Sequence, residues 1–463
     1  MENFWDYSVW GGVNLIAVLL ISLLAAHALK RRIRPLRRSL IPTSVLGGLM
    51  LLLFFFLYRQ ITGAELFDTA FFNGNGSDLL EMITYHALAL GFIASAFKSP
   101  GGKLSGKRVS EIFNTGITTV STYLLQGITG LLISLAAAAL LPGFFRAAGI
   151  LLPFGYGQGT GQALNYGGIY EADYGFAGGK SFGLTIAALG FLSASLGGVC
   201  WLAVLKRQGK ISSSVSGEGT LRSEDVQHSD EIPMQDSIDK ITVQIALTAL
   251  AYLVAYLLMT LLSTLLPGMR SVIFGFNFLI GVLSAVLIRG LLNALKKRGA
   301  VRREYISGFL MTRISNFFFD VMVVAGIAAI RLRVLTNYWG VMLIMGAAGL
   351  AVTFLYNRLI AGILFPEYSR EQFLMMYGML TGTASTGIIL LRELDPDFRT
   401  PASENMVYQN FPAIVFGFPI MLLAPLAPRR PGLTLVLLAG FFLVMNLILF
   451  RSLILKKAGK KRG

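Results

Sequence analysis

The sequence predicts an all-α polytopic membrane protein of about 11 transmembrane helices. Apolar residues make up 54% of the 463 positions and charged residues only 14%, where soluble domains carry roughly 25%. The apolar residues fall in blocks of about 20, the length of one bilayer crossing. The basic residues fall in short runs between the blocks, such as Lys30-Arg31-Arg32, Arg37-Arg38, Lys296-Lys297-Arg298 and Lys456-Lys457. This pattern excludes an ordinary soluble enzyme and a disordered chain.

In chain order, the first group of spans falls at 8–29, 40–58, 79–97, 112–141 and 181–205. A polar stretch from Gln208 to Asp239 then reads as a cytoplasmic linker. The second group falls at 241–266, 271–292, 306–330, 334–356, 404–425 and 433–455. Two further apolar segments, 147–170 and 373–392, are interrupted by glycine and hydroxyl residues. The formal charge of +16 is scattered among loops and forms no stripe with interleaved aromatics, so it does not signal nucleic acid. Basic loops are cytoplasmic by the positive-inside rule. With the amino terminus outside, 27 of the 40 Lys and Arg fall on inside segments and 8 on outside loops. That orientation requires both interrupted segments to return to the side they entered from, as re-entrant hairpins.

Each half then has four spans, an interrupted segment and a fifth span. Five crossings are odd, so the second half enters from the opposite face. The expected design is two inverted-topology five-helix repeats, each with a re-entrant hairpin, plus one extra C-terminal helix. Residues 1–206 form the first repeat, 207–240 the linker, 241–426 the second repeat (its re-entrant segment running to 395), and 427–463 the extra helix and basic tail. Many secondary transporters share this architecture. The carboxyl terminus falls inside. The start, MENFWDY, lacks a basic n-region and does not read as a cleaved signal peptide.

The interrupted segments concentrate the polar chemistry. The first, LLPFGYGQGTGQALNYGG, belongs to a stretch with nine glycines between Gly155 and Gly179. Broken backbone within hydrocarbon is tolerated only when buried in protein or lining a cavity. Amides freed at a half-helix start face anions, and freed carbonyls coordinate Na+. Gln158, Thr160 and Gln162 add donors and acceptors. Gly155-x-Gly157-x-Gly159 has no preceding strand, which removes a dinucleotide reading. Gly179-Lys180-Ser181 lacks the earlier glycine of a phosphate loop, because Tyr174 stands there. The second segment carries Thr381, Gly382, Thr383, Ser385, Thr386 and Gly387 as a polar island between apolar flanks. Hydroxyls bonding back to helix carbonyls are the structural alternative.

Asp320 lies mid-span, with Asn316 one turn away and Arg313 on roughly the same face. It reads as a Na+ or proton ligand, or as one end of a structural ion pair. His86 is a packing residue or a proton relay. Arg392 clamps a carboxylate, caps the hairpin, or pairs with Glu393 or Asp395. The single cysteine, Cys200, excludes intrachain disulfides and reads as packing, and three dispersed histidines do not make a metal centre.

Five stretches resemble the bacterial sodium/glutamate symporters, the ESS family. They are IPTSVLGG (Ile41–Gly48), the third span from Asp78 to Gly102, GQGTGQA (Gly157–Ala163), Tyr174-Gly175-Phe176, and GTASTGI (Gly382–Ile388). The family has IPEPVAGG, GHGTGAA and GATPTAI at the first, third and fifth, so Gln158 replaces a histidine and Ser385 a proline. The resemblance implies a homodimer in the cell inner membrane whose two re-entrant tips hold glutamate and Na+. It places Gln158, Gly159, Thr160 and Gly161 at one tip. Gly382, Thr383, Ser385 and Thr386 sit at the other as substrate contacts. Thr381, with Asn316 and Asp320, is expected on the ion. No cofactor is expected beyond Na+ as coupling ion, no other metal, and no enzymatic chemistry. The competing readings are a channel, a ligand sensor without transport, and a membrane-embedded glycan or acyl-transfer enzyme.

Overall fold

The computed structural model describes residues 3–97, 105–209, 231, 233, 238–395 and 398–451. Almost all of the expected linker lies outside the described residues, as do His228, Lys456 and Lys457. Up to that linker, the helices are α1 (Tyr7–Arg32), α2 (Arg34–Arg38), α3 (Thr43–Thr62), α4 (Gly76–Phe97), α5 (Gly106–Leu140), α6 (Leu151–Tyr156), α7 (Thr160–Tyr174) and α8 (Gly179–Arg207). After it come α9 (Lys240–Leu265), α10 (Arg270–Gly275), α11 (Asn277–Lys297), α12 (Gly308–Ala328) and α13 (Trp339–Leu364). The chain continues with α14 (Ser369–Thr381), α15 (Ala384–Arg392), α16 (Ala402–Tyr408), α17 (Asn410–Leu423) and α18 (Pro431–Leu449). No strand forms among the described residues; one isolated bridge pairs Glu231 with Glu304.

The chain is an all-α polytopic membrane protein. Ten helices are long and apolar enough to cross a bilayer, and a bent pair, α16 and α17, raises the number to 11. The 51° bend in that pair has a local cause. Pro412 has no amide hydrogen, and its ring crowds the carbonyl four residues back, that of Tyr408. Helix α16 ends at Tyr408.

Among the spans whose expected ends both fall on described residues, three differ from expectation by five residues or more, the one expected at 112–141 by starting at Gly106. The expected span 271–292 is divided at Phe276, so α11 starts at Asn277. The expected span 334–356 begins at Trp339 and runs on to Leu364. The polar pair Asn357-Arg358 does not end it. The Asn357 amide is buried and donates to the Thr353 carbonyl at 2.9 Å, and the Arg358 guanidinium lies over the Trp201 ring at 4.1 Å.

Two compact units divide the chain. The first contains α4, α9, α10, α11 and α12, with Tyr7–Ser22 of α1 and Leu53–Thr62 of α3. Its centre is α4, packed on α9, α11 and α12. The Phe319 ring lies against Gly91, and the Ser315 hydroxyl donates to the Gly91 carbonyl at 2.8 Å. Arg289 donates to the Ala96 carbonyl at 3.0 Å. Ile93, Ala94 and Phe97 anchor the apolar core. Lys240 is fully buried against Glu231 at 2.5 Å.

The second unit contains α2, α5 to α8 and α13 to α18, with Leu23–Arg32 of α1 and Thr43–Leu52 of α3. Helix α5 has 35 residues, about 52 Å at 1.5 Å per residue, and serves as the post of the unit. Helix α13 rests on α5 and α8, α16 and α17 rest on α5, and α18 packs along α5. Each unit thus draws on both halves of the chain. The fourth span, interrupted segment and fifth span of each half share the second unit. The eleventh span joins them through Tyr356, which donates to Asn446 at 2.8 Å, and Arg451, which donates to Asn114 at 3.0 Å.

Candidate functional site

Both interrupted segments are pairs of short helices folded back on themselves. In the first, α6 ends at Tyr156 and α7 starts at Thr160. The Phe154 and Tyr166 rings stack at 3.9 Å across the reversal. Gly159 makes the turn at φ 81°, in the left-handed region that suits glycine. In the second, α14 ends at Thr381 and α15 starts at Ala384. Gly378 and Gly387 let the two helices touch backbone to backbone.

Three elements bring the two breaks together. On α5, the Tyr123 hydroxyl donates to the Gly157 carbonyl at 3.1 Å, at the first break. One turn along, the Gln126 amide donates to the Leu380 carbonyl at 2.9 Å, at the second. On α8, Ser193 takes bonds from both sides. Its hydroxyl meets the Tyr156 hydroxyl at 2.9 Å, and its carbonyl accepts from Tyr377 at 2.7 Å. Gly190 lies one turn away, where a methyl group would stand 2.5 Å from the Thr381 carbonyl oxygen and 3.1 Å from the Tyr156 ring. On α13, the Gly346 carbonyl accepts from Tyr156 at 2.6 Å, and Thr353 accepts from Gln126 at 2.8 Å.

Between α5 and α13 runs a buried polar seam. Thr122 faces Asn357, and Gln126 faces Thr353; all four are buried. Further along α5, Thr115 accepts from Gln372, whose own carbonyl oxygen accepts from Asn405. Several amide atoms of this region have no partner: Gln126 Oε1, Asn357 Oδ1, Asn405 Oδ1, Gln409 Oε1 and, beside the first break, Gln162 Nε2. A buried polar atom left without a partner costs about 1–3 kcal/mol, which sets these amides apart from the paired hydroxyls of the seam.

The expected tip residues divide by role. Gly159, Thr160 and Gly161 are buried at the start of α7, and Gln158 is half-buried beside them. The start of α7 carries no side-chain cap. Gln162 is 1% exposed and its Oε1 accepts from Asn165 at 3.3 Å. At the second tip, Gly382 and Thr386 are buried, and Thr383 and Ser385 are half-buried. The Thr383 hydroxyl caps α15 by accepting from the Thr386 amide at 3.3 Å. Thr381 bonds back to the Tyr377 carbonyl at 2.6 Å.

Asn316 and Asp320 lie on α12 in the other unit, exposed and half-buried respectively. His86 is also there, its Nδ1 2.6 Å from the Tyr252 hydroxyl. Arg392 lies over the Phe398 ring at 5.3 Å. The Asp395 carboxylate accepts from the amides of Arg399 and Thr400 and from the Thr400 hydroxyl. Cys200, expected to be packed, is exposed on α8.

Sequence reasoning missed Tyr123, Gln126, Tyr156, Gly190, Ser193, Thr353 and Asn357. Signals were present. Thr115, Thr118, Thr122 and Gln126 recur at helical spacing in an apolar span. Gly183, Gly190 and Gly197 recur every seven residues, the spacing of one helix face.

Compared with known proteins, the chain matches no family model, and no curated protein sequence matches it.

Proposed function

We propose that the chain is a sodium-coupled secondary transporter, a symporter, for a small anionic solute. Glutamate or a related amino acid or carboxylate is the substrate that the resemblance to the ESS symporters suggests. The observation that carries the reading is the meeting of two helix breaks on Tyr123, Gln126, Gly190 and Ser193 within one unit. Broken helices in corresponding places of two halves supply amides for an anion and oxygens for a cation at one depth. The uncapped start of α7, with the unserved Gln162 Nε2 beside it, suits a carboxylate. The substrate then lies between the Gln158–Gly161 tip and the Gly382–Thr386 tip, and access alternates between the two faces of the membrane. The proposed setting is a multi-pass protein of the cytoplasmic membrane, amino terminus outside and carboxyl terminus inside, working as a homodimer. Transport of this kind needs no catalytic group.

The test is glutamate uptake into proteoliposomes with and without an inward Na+ gradient. Saturable uptake driven by Na+ is expected. If uptake ignores the gradient for every amino acid and dicarboxylate tried, the coupled reading falls. Unsaturable single-channel current would then indicate a channel, and saturable binding without flux a sensor.

A further inference from the structure

We infer that a monovalent cation, Na+, binds in the seam between α5 and α13, on Gln126 Oε1 and Asn357 Oδ1. The argument starts from which atom of each amide is free. Gln126 donates its NH2 to the Leu380 carbonyl at 2.9 Å, and Asn357 donates its NH2 to the Thr353 carbonyl at 2.9 Å. A backbone carbonyl can only accept, so both amide groups are held with nitrogen on that side. The oxygens are left over. Both residues are fully buried, and neither Gln126 Oε1 nor Asn357 Oδ1 has a partner. They belong to neighbouring turns, because Gln126 also meets the Thr353 hydroxyl at 2.8 Å and Asn357 meets the Thr122 hydroxyl at 3.3 Å.

The surroundings select the occupant. Helices α6 and α14 both end beside α5, where the carbonyl of Gly157, just past α6, accepts from Tyr123 and that of Leu380, next to last in α14, accepts from Gln126. Helix C-termini carry partial negative charge. The liganding set consists of amide and hydroxyl oxygens, hard neutral donors suited to an alkali cation. No carboxylate belongs to it, which disfavours a divalent ion. None of Thr122, Gln126, Thr353 or Asn357 titrates near neutral pH, so a proton cannot take the cation's place. That this ion is the coupling ion rests on the transporter reading above; the binding site itself does not.

The experiment is thermal unfolding of the purified full-length chain in detergent, with NaCl exchanged for choline chloride at constant ionic strength. A saturable rise in the midpoint with Na+ is expected. Gln126→Leu and Asn357→Leu should each raise the half-saturating Na+ concentration at least about tenfold. Asn357→Asp places a titratable oxygen at the same point, so its half-saturation should become pH-dependent and tighten as pH rises. This variant preserves the test if the leucine variants do not fold. The inference is overturned if Na+ gives no saturable shift in the wild-type chain, in which case water serves these oxygens. It is also overturned if both leucine variants respond like wild type, or if Asn357→Asp shows unchanged, pH-independent half-saturation. Saturable Na+ binding without Na+-driven uptake of any solute would keep this site and remove the transporter reading. Uptake with unaltered Na+ dependence in both leucine variants would do the reverse.

Discussion

Gly159 sits at φ 81° and ψ −172°, a conformation that costs a side-chain-bearing residue about 1–3 kcal/mol. Gly159→Ala should therefore lower the unfolding midpoint and impair uptake together, because the strain falls at the first break. Gly175→Ala separates the two effects. Gly175 is also left-handed, at φ 69°, but it closes the far end of α7 in open space. Its substitution should cost stability and spare Na+-dependent uptake; if uptake falls equally in both, the break has no special role. Thr383 makes a second contrast. Its hydroxyl caps α15, and removing such a cap costs about 1 kcal/mol. Thr383→Ala should lose stability that Thr383→Ser recovers, measured by thermal unfolding. Uptake lost in both variants would assign the threonine to the ligand rather than to the cap. Single residues were only partly legible in the sequence. Glycine and hydroxyl clusters mark where a helix breaks, and both breaks fall at such clusters. The partners that hold the tips, such as Tyr123 and Ser193, lie in other spans, and their contacts depend on tertiary packing.

At the scale of elements, α8 is the surface on which both hairpins rest. Gly183 lies under Ala163 of α7, Gly190 under Tyr156 and Thr381, and Gly197 under the Tyr377 hydroxyl. Glycines at one helix face permit such close approach between membrane helices, where apolar burial between helices gives little drive. Gly190→Ala should force both breaks off α8 and abolish uptake, with a loss of stability of about 1–3 kcal/mol from overpacking. Gly290→Ala is the opposite case. Its helix, α11, has open space there, so helix propensity alone acts and stability should rise by about 1 kcal/mol. Comparison of the two unfolding midpoints checks the sign of each. The spans themselves were legible because hydrocarbon length leaves few alternatives. One misplaced boundary, the far end of α13, has a clear physical origin. Asn357 and Arg358 look like the end of a span, yet the hydrogen bonds to Thr353 and Thr122 and the Trp201 ring absorb them within α13.

At the scale of the molecule, the proposed topology depends on whether the two interrupted segments cross the bilayer. Their helices are short: 6 and 15 residues in the first, 13 and 9 in the second. The longest reaches about 22 Å at 1.5 Å per residue, less than the roughly 30 Å hydrocarbon core. The stacked Phe154 and Tyr166 rings and the Gly378–Gly387 contact fold each pair into a hairpin. A hairpin returns to its side of entry, so residues flanking it share one face of the membrane. With Cys200 replaced by alanine, single cysteines can report this through an impermeant thiol reagent. Leu140→Cys and Ala177→Cys flank the first hairpin at exposed positions, and both should label from outside in intact cells. Glu367→Cys and Arg399→Cys flank the second, also exposed, and both should label only after the membrane is opened. Opposite labelling within either pair would mean that the segment crosses. The two breaks could then not be re-entrant tips, and the inverted five-span repeat would be wrong. Matched labelling within each pair, on opposite faces for the two pairs, is the arrangement that admits a solute from one side at a time.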